Sequence, residues 1–153
     1  SSEDTSITNL KNFKAVCDKE DIEVAATAVQ GASDIPSAAE ELASKVDCIN
    51  NFTDNNVVNN LSVVLTAADK YGIPVYGSEE EQVINGCLAS VSIDYVALGR
   101  VTGEMAVSVL KGEDASTMAV KTITEATPVI SSSVLKKLGL STPEGYSEVK
   151  TVE

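Results

Sequence analysis

The chain has 153 residues, 43% of them hydrophobic, and a formal net charge of −12 at pH 7. This composition suits one folded domain with an aliphatic core and argues against disorder. Because only 11 residues are basic, the sequence argues against nucleic-acid binding through phosphate neutralisation and against adhesion to anionic lipid. The absence of histidine excludes Cys/His zinc sites and Ser-His or Cys-His catalytic pairs.

The three cysteines, Cys17, Cys48 and Cys87, are widely spaced and have apolar neighbours in the sequence. Free cysteine is among the residue types most often buried, so we expect three buried free thiols. Their odd number argues against a disulfide framework.

Hydrophobic periodicity predicts an alternation of helices and strands. Helices are predicted at 6–17, 33–46, 57–70, 79–83, 95–111 and 134–138, and strands at 22–29, 46–51, 73–77, 86–92, 118–124 and 128–131. Strands that alternate with helices are joined by right-handed crossovers and form a parallel sheet. We therefore predict an α/β fold, a doubly wound parallel sheet with helices on both faces.

Residues 1–6 are polar and lead directly into the first predicted helix. In a doubly wound domain a strand precedes such a helix. We therefore expect this chain to be a fragment of a longer protein, with its first strand missing.

One predicted strand is followed by more polar side chains than a helix cap requires. Residues 46–51 predict a buried strand, and Thr53, Asp54, Asn55 and Asn56 come directly after it. Such residues cap helix N-termini, but one cap does not need four of them. Ligands of parallel α/β sheets bind outside the carboxyl ends of the strands. The surplus therefore predicts a small-molecule site.

Asp54 has two explanations at this level. It either places a carboxylate at a helix N-terminus, which the helix dipole favours, or accepts a hydrogen bond from a ligand's ammonium group. In the second case, Thr53 and Asn55 are neutral hydrogen-bond partners. Ser6 is likewise either a helix cap or part of a helix N-terminus that holds a ligand carboxylate.

The other polar loops after predicted strands, at 2–6, 30–33 and 78–80, should converge on the same rim of the sheet. Ser78 can cap a short helix. The simplest interpretation of the acidic run that begins at Glu79 is a solvent-exposed first turn of that helix. Only the residue of this run nearest the rim would then contact a ligand. No nucleophile, metal cluster or phosphate-binding glycine loop accompanies these residues. A hydrolase or isomerase that uses Asp54 is therefore the weakest reading, and neither an enzyme nor a cofactor is predicted.

Several segments together resemble one protein family. The residues that carry the resemblance are 2–6, 45–49, 53–57, 73–79, 86–90 and 94–106. They are similar to the C-terminal half of ABC-transporter substrate-binding proteins of the tryptophan/tyrosine-uptake type. The family usually has a proline where this chain has Phe52.

The resemblance implies one lobe of a two-lobed periplasmic-binding-protein-like fold, with the ligand held between the lobes. It implies that 1–90 form a second-lobe domain, 91–122 return to the first lobe, 123–140 complete the second lobe and 141–153 are a peripheral tail. The ligand-binding positions that it implies are Ser6, Thr53, Asp54, Asn55, Ser78 and Glu79.

The function implied is that of the solute-binding component of an ABC importer. The implied ligand is an amino acid, with aromatic ones among the candidates, or a similar small zwitterion. An ABC permease is the implied partner of the full-length protein, and the location is extracytoplasmic, as a cell-surface lipoprotein or in the periplasm. The alternative is a ligand-sensing domain of the same fold in a transcriptional regulator or sensor. Because the helix at 95–110 would lack its packing partner in a fragment, we also expect a homodimer of the fragment.

Overall fold

The computed structural model describes residues 4–143 and 150–152. The helices are α1 (Asp4–Cys17), α2 (Ile35–Ala43), α3 (Asn55–Val58), α4 (Leu61–Tyr71), α5 (Glu80–Ile84), α6 (Tyr95–Leu110) and α7 (Ser132–Leu138). The strands are β1 (Ile49–Asn50), β2 (Val75–Tyr76), β3 (Ala89–Ile93), β4 (Ala126–Ser131) and β5 (Lys150–Val152). No helix in these ranges is both long enough and apolar enough to span a bilayer.

The five strands form one sheet in the order β1-β2-β3-β4-β5. Strands β1, β2 and β3 pair in parallel, as do β4 and β5. The predicted α/β class is therefore confirmed. The sheet is not wholly parallel, because β3 and β4 pair antiparallel with Ala89 opposite Ile130 and Ile93 opposite Ala126.

The predicted strand at 22–29 is wrong, because the described structure gives these residues no sheet pairing. Most of their side chains are exposed, including Ile22, and only Val29 is buried. A strand requires a neighbour that completes its ladder of hydrogen bonds. Hydrophobic alternation indicates that a segment is able to join a sheet, but it cannot supply that neighbour.

Two further expectations are corrected. Residues 118–124 form no strand in the structure and are mostly exposed, with Val120 at 90% of its full accessibility. Residues 150–152, expected in a peripheral tail, form β5 and pair with β4. The rest of that tail lies outside the described residues, apart from 141–143, which have no helix or strand. Short terminal strands are hard to predict, because pairing rather than sequence pattern determines them.

The core covers the sheet on both faces. The main cluster joins β1, β2 and β4 to α2, α4 and α5 through Ile49, Val75, Val129, Ile35, Ala39, Ala43, Leu61, Val64, Ala67, Ala68 and Val83. A second cluster contains Leu88, Ile130 and Leu135. Since neighbouring residues of a strand point to opposite faces, Val129 and Ile130 place the two clusters on opposite faces of the sheet. Helices therefore pack on both faces, as predicted.

Helix α6 is the element least covered by the rest of the described chain. None of its residues is buried. Leu98, Val101 and Met105 are half-buried along one side, whereas Val96 and Leu110 are 73% and 86% exposed. The expected homodimer of the fragment stays a prediction that this single chain does not test.

The cysteines differ from the expected pattern at one position. Cys17 and Cys87 are buried, but Cys48 is exposed. Cys48 comes directly before the buried Ile49 at the start of a two-residue strand. Because side chains alternate along a strand, burial of Ile49 turns Cys48 to the other side.

Gly86 occupies a position that a larger residue cannot easily fill. Its φ is +118°, and a Cβ there would lie 3.0 Å from Leu65 Cδ1. We expect Gly86→Ala to lower the free energy of unfolding by about 1–3 kcal/mol, from backbone strain and the contact with Leu65. Gly31 is the matched control, since its φ is −163° and nothing lies within 4 Å of an added Cβ. Equal melting temperatures for the two variants would contradict this expectation.

Candidate functional site

The polar segments that follow β1 and β2 lie at one edge of the sheet. These strands are parallel, so their carboxyl ends point the same way. The Asn51 N–H donates to the Tyr76 carbonyl at 2.8 Å, which keeps the two chains paired beyond the assigned strands. The residues after Asn51 and after Tyr76 therefore lie side by side, at the edge where parallel sheets bind ligands.

Asp54 is a buried, hydrogen-bonded side chain at this edge. It is only 3% exposed and has extended backbone torsions as the N-cap of α3. Its Oδ1 accepts hydrogen bonds from the N–H groups of Asn56 at 3.0 Å and Val57 at 3.4 Å. The structural role considered for Asp54 from the sequence, that of a helix cap, is therefore real.

A second contact joins Asp54 to the N-terminal helix α1. The Ser6 hydroxyl donates to Asp54 Oδ2 at 2.9 Å, and this bond is buried. Ser6 lies in the first turns of α1, 48 residues before Asp54. Hydrogen bonds to a charged acceptor are stronger than those between neutral groups. This one fixes the N-terminal part of α1 against the loop after β1.

Thr53 and Asn55 flank Asp54, and both are exposed. Solvent can therefore reach both side chains beside the buried Asp54. The structure thus brings Ser6, Thr53, Asp54 and Asn55 to one place. The first part of the predicted loop at 2–6 lies outside the described residues.

Ser78 and Glu79 belong to a second group of polar contacts on the same edge, centred on Gln82. The Ser78 hydroxyl donates to the Asn51 carbonyl at 2.6 Å. Gln82 Oε1 accepts from Asn51 Nδ2 at 2.9 Å and from the Ser78 N–H at 3.4 Å. Gln82 Nε2 donates to Glu79 Oε1 at 3.3 Å.

Asn51 and Gln82 are residues that sequence reasoning missed. They are 4% and 1% exposed, and their side-chain amides join the loops after β1 and β2. In the sequence, Gln82 follows three glutamates in a predicted short helix. No feature of that segment distinguishes a buried glutamine from one on a solvent-exposed helix face. A Cβ on Gly77 would lie 2.8 Å from Gln82 Cβ, so glycine permits the close approach of Gln82 to the loop.

Glu79 also reaches the start of α6. Burial, then the charge of Glu79 and a hydrogen bond to it, raise the pKa of Tyr95 above its ordinary value. A cavity of about 520 Å³ lies beside this pair, lined by Glu80, Ser92, Ile93, Asp94, Tyr95, Val96 and Thr127. The edge of the sheet and the segment that leads into α6 therefore meet at Glu79.

The site offers carboxylate, hydroxyl and amide groups, which suit the ammonium and other polar groups of a small zwitterion. Within 4–143 and 150–152, no three His, Cys, Asp or Glu side chains are placed to hold a metal ion together.

Comparison with known protein families identifies the class of protein. Residues 1–151 match the family described as ABC transporter substrate binding protein. The chain therefore belongs to the ABC transporter substrate-binding protein family, which confirms the family suggested by the sequence.

Individual proteins with a known name or structure are also similar to this chain. The chain is 34% identical over 122 residues to a tyrosine-binding protein of Clostridioides difficile (strain R20291), covering 80% of this chain and 35% of that protein. It is 33% identical, with a TM-score of 0.90, to the crystal structure of an ABC domain in complex with L-Trp from Streptococcus pneumonia. That match covers 99% of this chain and 52% of the solved one.

Two other solved structures show the same fold. A ligand-free, open structure of a substrate-binding protein with adhesive properties from Clostridium difficile is 30% identical, with a TM-score of 0.77, over 100% of this chain and 52% of that one. A conserved domain protein from Vibrio cholerae is 23% identical, with a TM-score of 0.88, over 97% and 50% of the respective chains. This chain thus spans about half the length of these solved proteins, and about a third of the curated relative.

Proposed function

We propose that this chain is part of the solute-binding component of an ABC importer, which holds an amino acid between two lobes. The observation that carries the proposal is the buried bond from Ser6 to Asp54 at the carboxyl edge of the sheet. It holds the Asp54 carboxylate next to the exposed Thr53 and Asn55, within a chain that belongs to a substrate-binding family. Such a protein binds and releases its ligand by hinge closure and carries out no chemical reaction.

Aromatic amino acids are the proposed ligands. The relatives with more than 30% identity include a protein named for tyrosine binding and a structure with bound L-Trp. In this proposal Asp54 accepts a hydrogen bond from the ligand's ammonium group, and Thr53, Asn55 and Ser78 contribute neutral hydrogen bonds. Ser6 and Glu79 hold in position the two loops that form the rim, Ser6 the loop after β1 and Glu79 the loop after β2.

The pattern of burial supports the proposed division into lobes. Residues 1–90 and 123–140 form the second lobe, around the two clusters of buried side chains. Residues 91–122 return to the first lobe, in agreement with the absence of buried residues on α6. The antiparallel pair of β3 and β4 then forms the crossing between lobes. An ABC permease and an extracytoplasmic location, as a periplasmic protein or a lipoprotein, complete the proposal.

Calorimetric titration of the full-length protein tests the ligand. We expect L-tryptophan or L-tyrosine to bind with a dissociation constant at or below about 10 μM, about −7 kcal/mol. We expect L-alanine, which has the same ammonium and carboxylate groups without the ring, to bind at least about tenfold more weakly. Absence of binding by every amino acid tried would contradict the proposed function.

A further inference from the structure

Strand β1 has an open edge in the sheet that the described residues form. It is the first strand in the order β1-β2-β3-β4-β5. The N–H groups of Ile49 and Asn51 donate towards β2, to the carbonyls of Pro74 at 3.0 Å and Tyr76 at 2.8 Å. Successive residues of a strand direct their backbone groups to opposite sides, so the N–H and C=O groups of Asn50 point away from β2. An open edge of this kind is a template for another strand.

The segment at 22–29 has an unpaired backbone as well. In the part of the chain that the structure describes, no backbone–backbone hydrogen bond involves residues 23–29, and they belong to no helix or strand. Apart from Glu23 and Thr27, every residue of 22–29 is Ala, Val or Ile. An extended aliphatic segment satisfies its backbone groups by joining a sheet. The segment therefore lacks a neighbouring strand.

The two unpaired backbones border the same core. Val29 is 6% exposed and belongs to the main cluster of buried side chains, as does Ile49 of β1. No printed backbone bond joins 23–29 to β1 within the described residues. The two segments thus pack on one core at the β1 end of the sheet without being neighbours in one ladder of hydrogen bonds.

Helix α1 determines the direction of the chain at this end of the sheet. Ser6 contacts Asp54, beyond the carboxyl end of β1, and Phe13, further along the helix, contacts Phe52, which is closer to β1. Helix α1 therefore runs antiparallel to β1. Asp21, with a φ of 55°, turns the chain back after α1, so 22–29 runs parallel to β1.

We propose that, in the full-length protein, the segment that precedes residue 1 forms a strand that inserts between β1 and 22–29, parallel to both. Such a strand ends beside the carboxyl end of β1, where α1 begins, and a crossover through α1 connects it to 22–29. This chain spans about half the length of the solved proteins that it matches, and a protein of that length has residues for this strand. With a neighbour on either side, the segment is an extended stretch of about five mainly aliphatic residues.

The inserted strand also supports the candidate site. It leads into the helix that carries Ser6, and so holds the Ser6 hydroxyl in reach of Asp54 Oδ2. Its insertion depends on backbone hydrogen bonds and on no ligand. A failure of every amino acid to bind would therefore leave the inserted strand in place.

Hydrogen exchange of the full-length monomer, resolved to single amides by NMR, tests the insertion. The N–H of Asn50 is the reporter, and the N–H groups of Ile49 and Asn51 are the matched controls, because both already donate towards β2. We expect Asn50 to exchange within about tenfold of these two neighbours, whereas at an open edge it would exchange at least about 100-fold faster. Such fast exchange at Asn50 would overturn the proposal.

The other two segments give a pattern of their own. In 22–29 we expect every second amide to be protected, because the segment becomes an edge strand with one side of its backbone in solvent. Nuclear Overhauser contacts from the Asn50 N–H should lead to the segment before residue 1. Contacts to any other segment would contradict the insertion. Protection that appears only in a dimer would assign the open edge to a second copy and would also overturn the proposal.

Discussion

Replacing Asp54 by asparagine in the full-length protein is expected to weaken amino-acid binding at least about tenfold, because the loss of a charge-assisted hydrogen bond costs about 1.5–3 kcal/mol. Asparagine keeps a side-chain oxygen that can accept from the N–H groups of Asn56 and Val57, the bonds that cap α3. The folded structure should therefore survive. Calorimetry measures the affinity, and a thermal melt without ligand measures the stability.

Asp54→Ala separates the two roles of this carboxylate. Alanine removes the cap and leaves the buried Ser6 hydroxyl without its acceptor, so we expect a further loss of about 1–3 kcal/mol in the free energy of unfolding. Asp114→Asn is the matched control for Asp54→Asn. Asp114 also caps a short helical turn, by accepting a hydrogen bond from the Ser116 N–H at 2.9 Å, but its position is exposed. If Asp54→Asn binds ligand as tightly as wild type, Asp54 is a structural cap and not a ligand-binding residue.

Gln82→Met is expected to lower the free energy of unfolding by about 2–4 kcal/mol, and the melting temperature by roughly 5–10 °C. Methionine has a similar size, but it cannot accept the hydrogen bond from the buried Asn51 amide. A buried donor left without an acceptor costs its full desolvation energy. Differential scanning calorimetry measures the change directly.

The same variant should also weaken ligand binding, because Gln82 holds the loops that carry Ser78 and Glu79. Glu81→Gln is the control on the same helix, since Glu81 is exposed and accepts only a peripheral side-chain bond, from Asn85 at 3.2 Å. We expect that control to change stability by less than about 0.5 kcal/mol. Equal melting temperatures for the two variants would show that the hydrogen bonds of Gln82 contribute little to the free energy of unfolding.

The sequence by itself determined the class of fold, and it predicted the edge of the sheet at which the candidate site lies. Polar residues in Thr53–Asn56 after an apolar run are a local pattern, and local patterns follow from capping and burial. The positions of α1, α2, α6 and α7 were predicted within a few residues for the same reason. The family resemblance added the expectation that Asp54 binds the ligand, which is still a proposal.

Only the tertiary structure decided which residues meet. The bond from Ser6 to Asp54 joins residues 48 apart, and that from Asn51 to Gln82 joins residues 31 apart. The spacing of residue types along the chain predicts neither of these hydrogen bonds. The antiparallel pairing of β3 and β4, the unpaired segment at 22–29 and the exposure of Cys48 likewise depend on which neighbour is present. Periodicity records how a segment buries its own side chains, whereas strand pairing and polar contacts are properties of two segments at once.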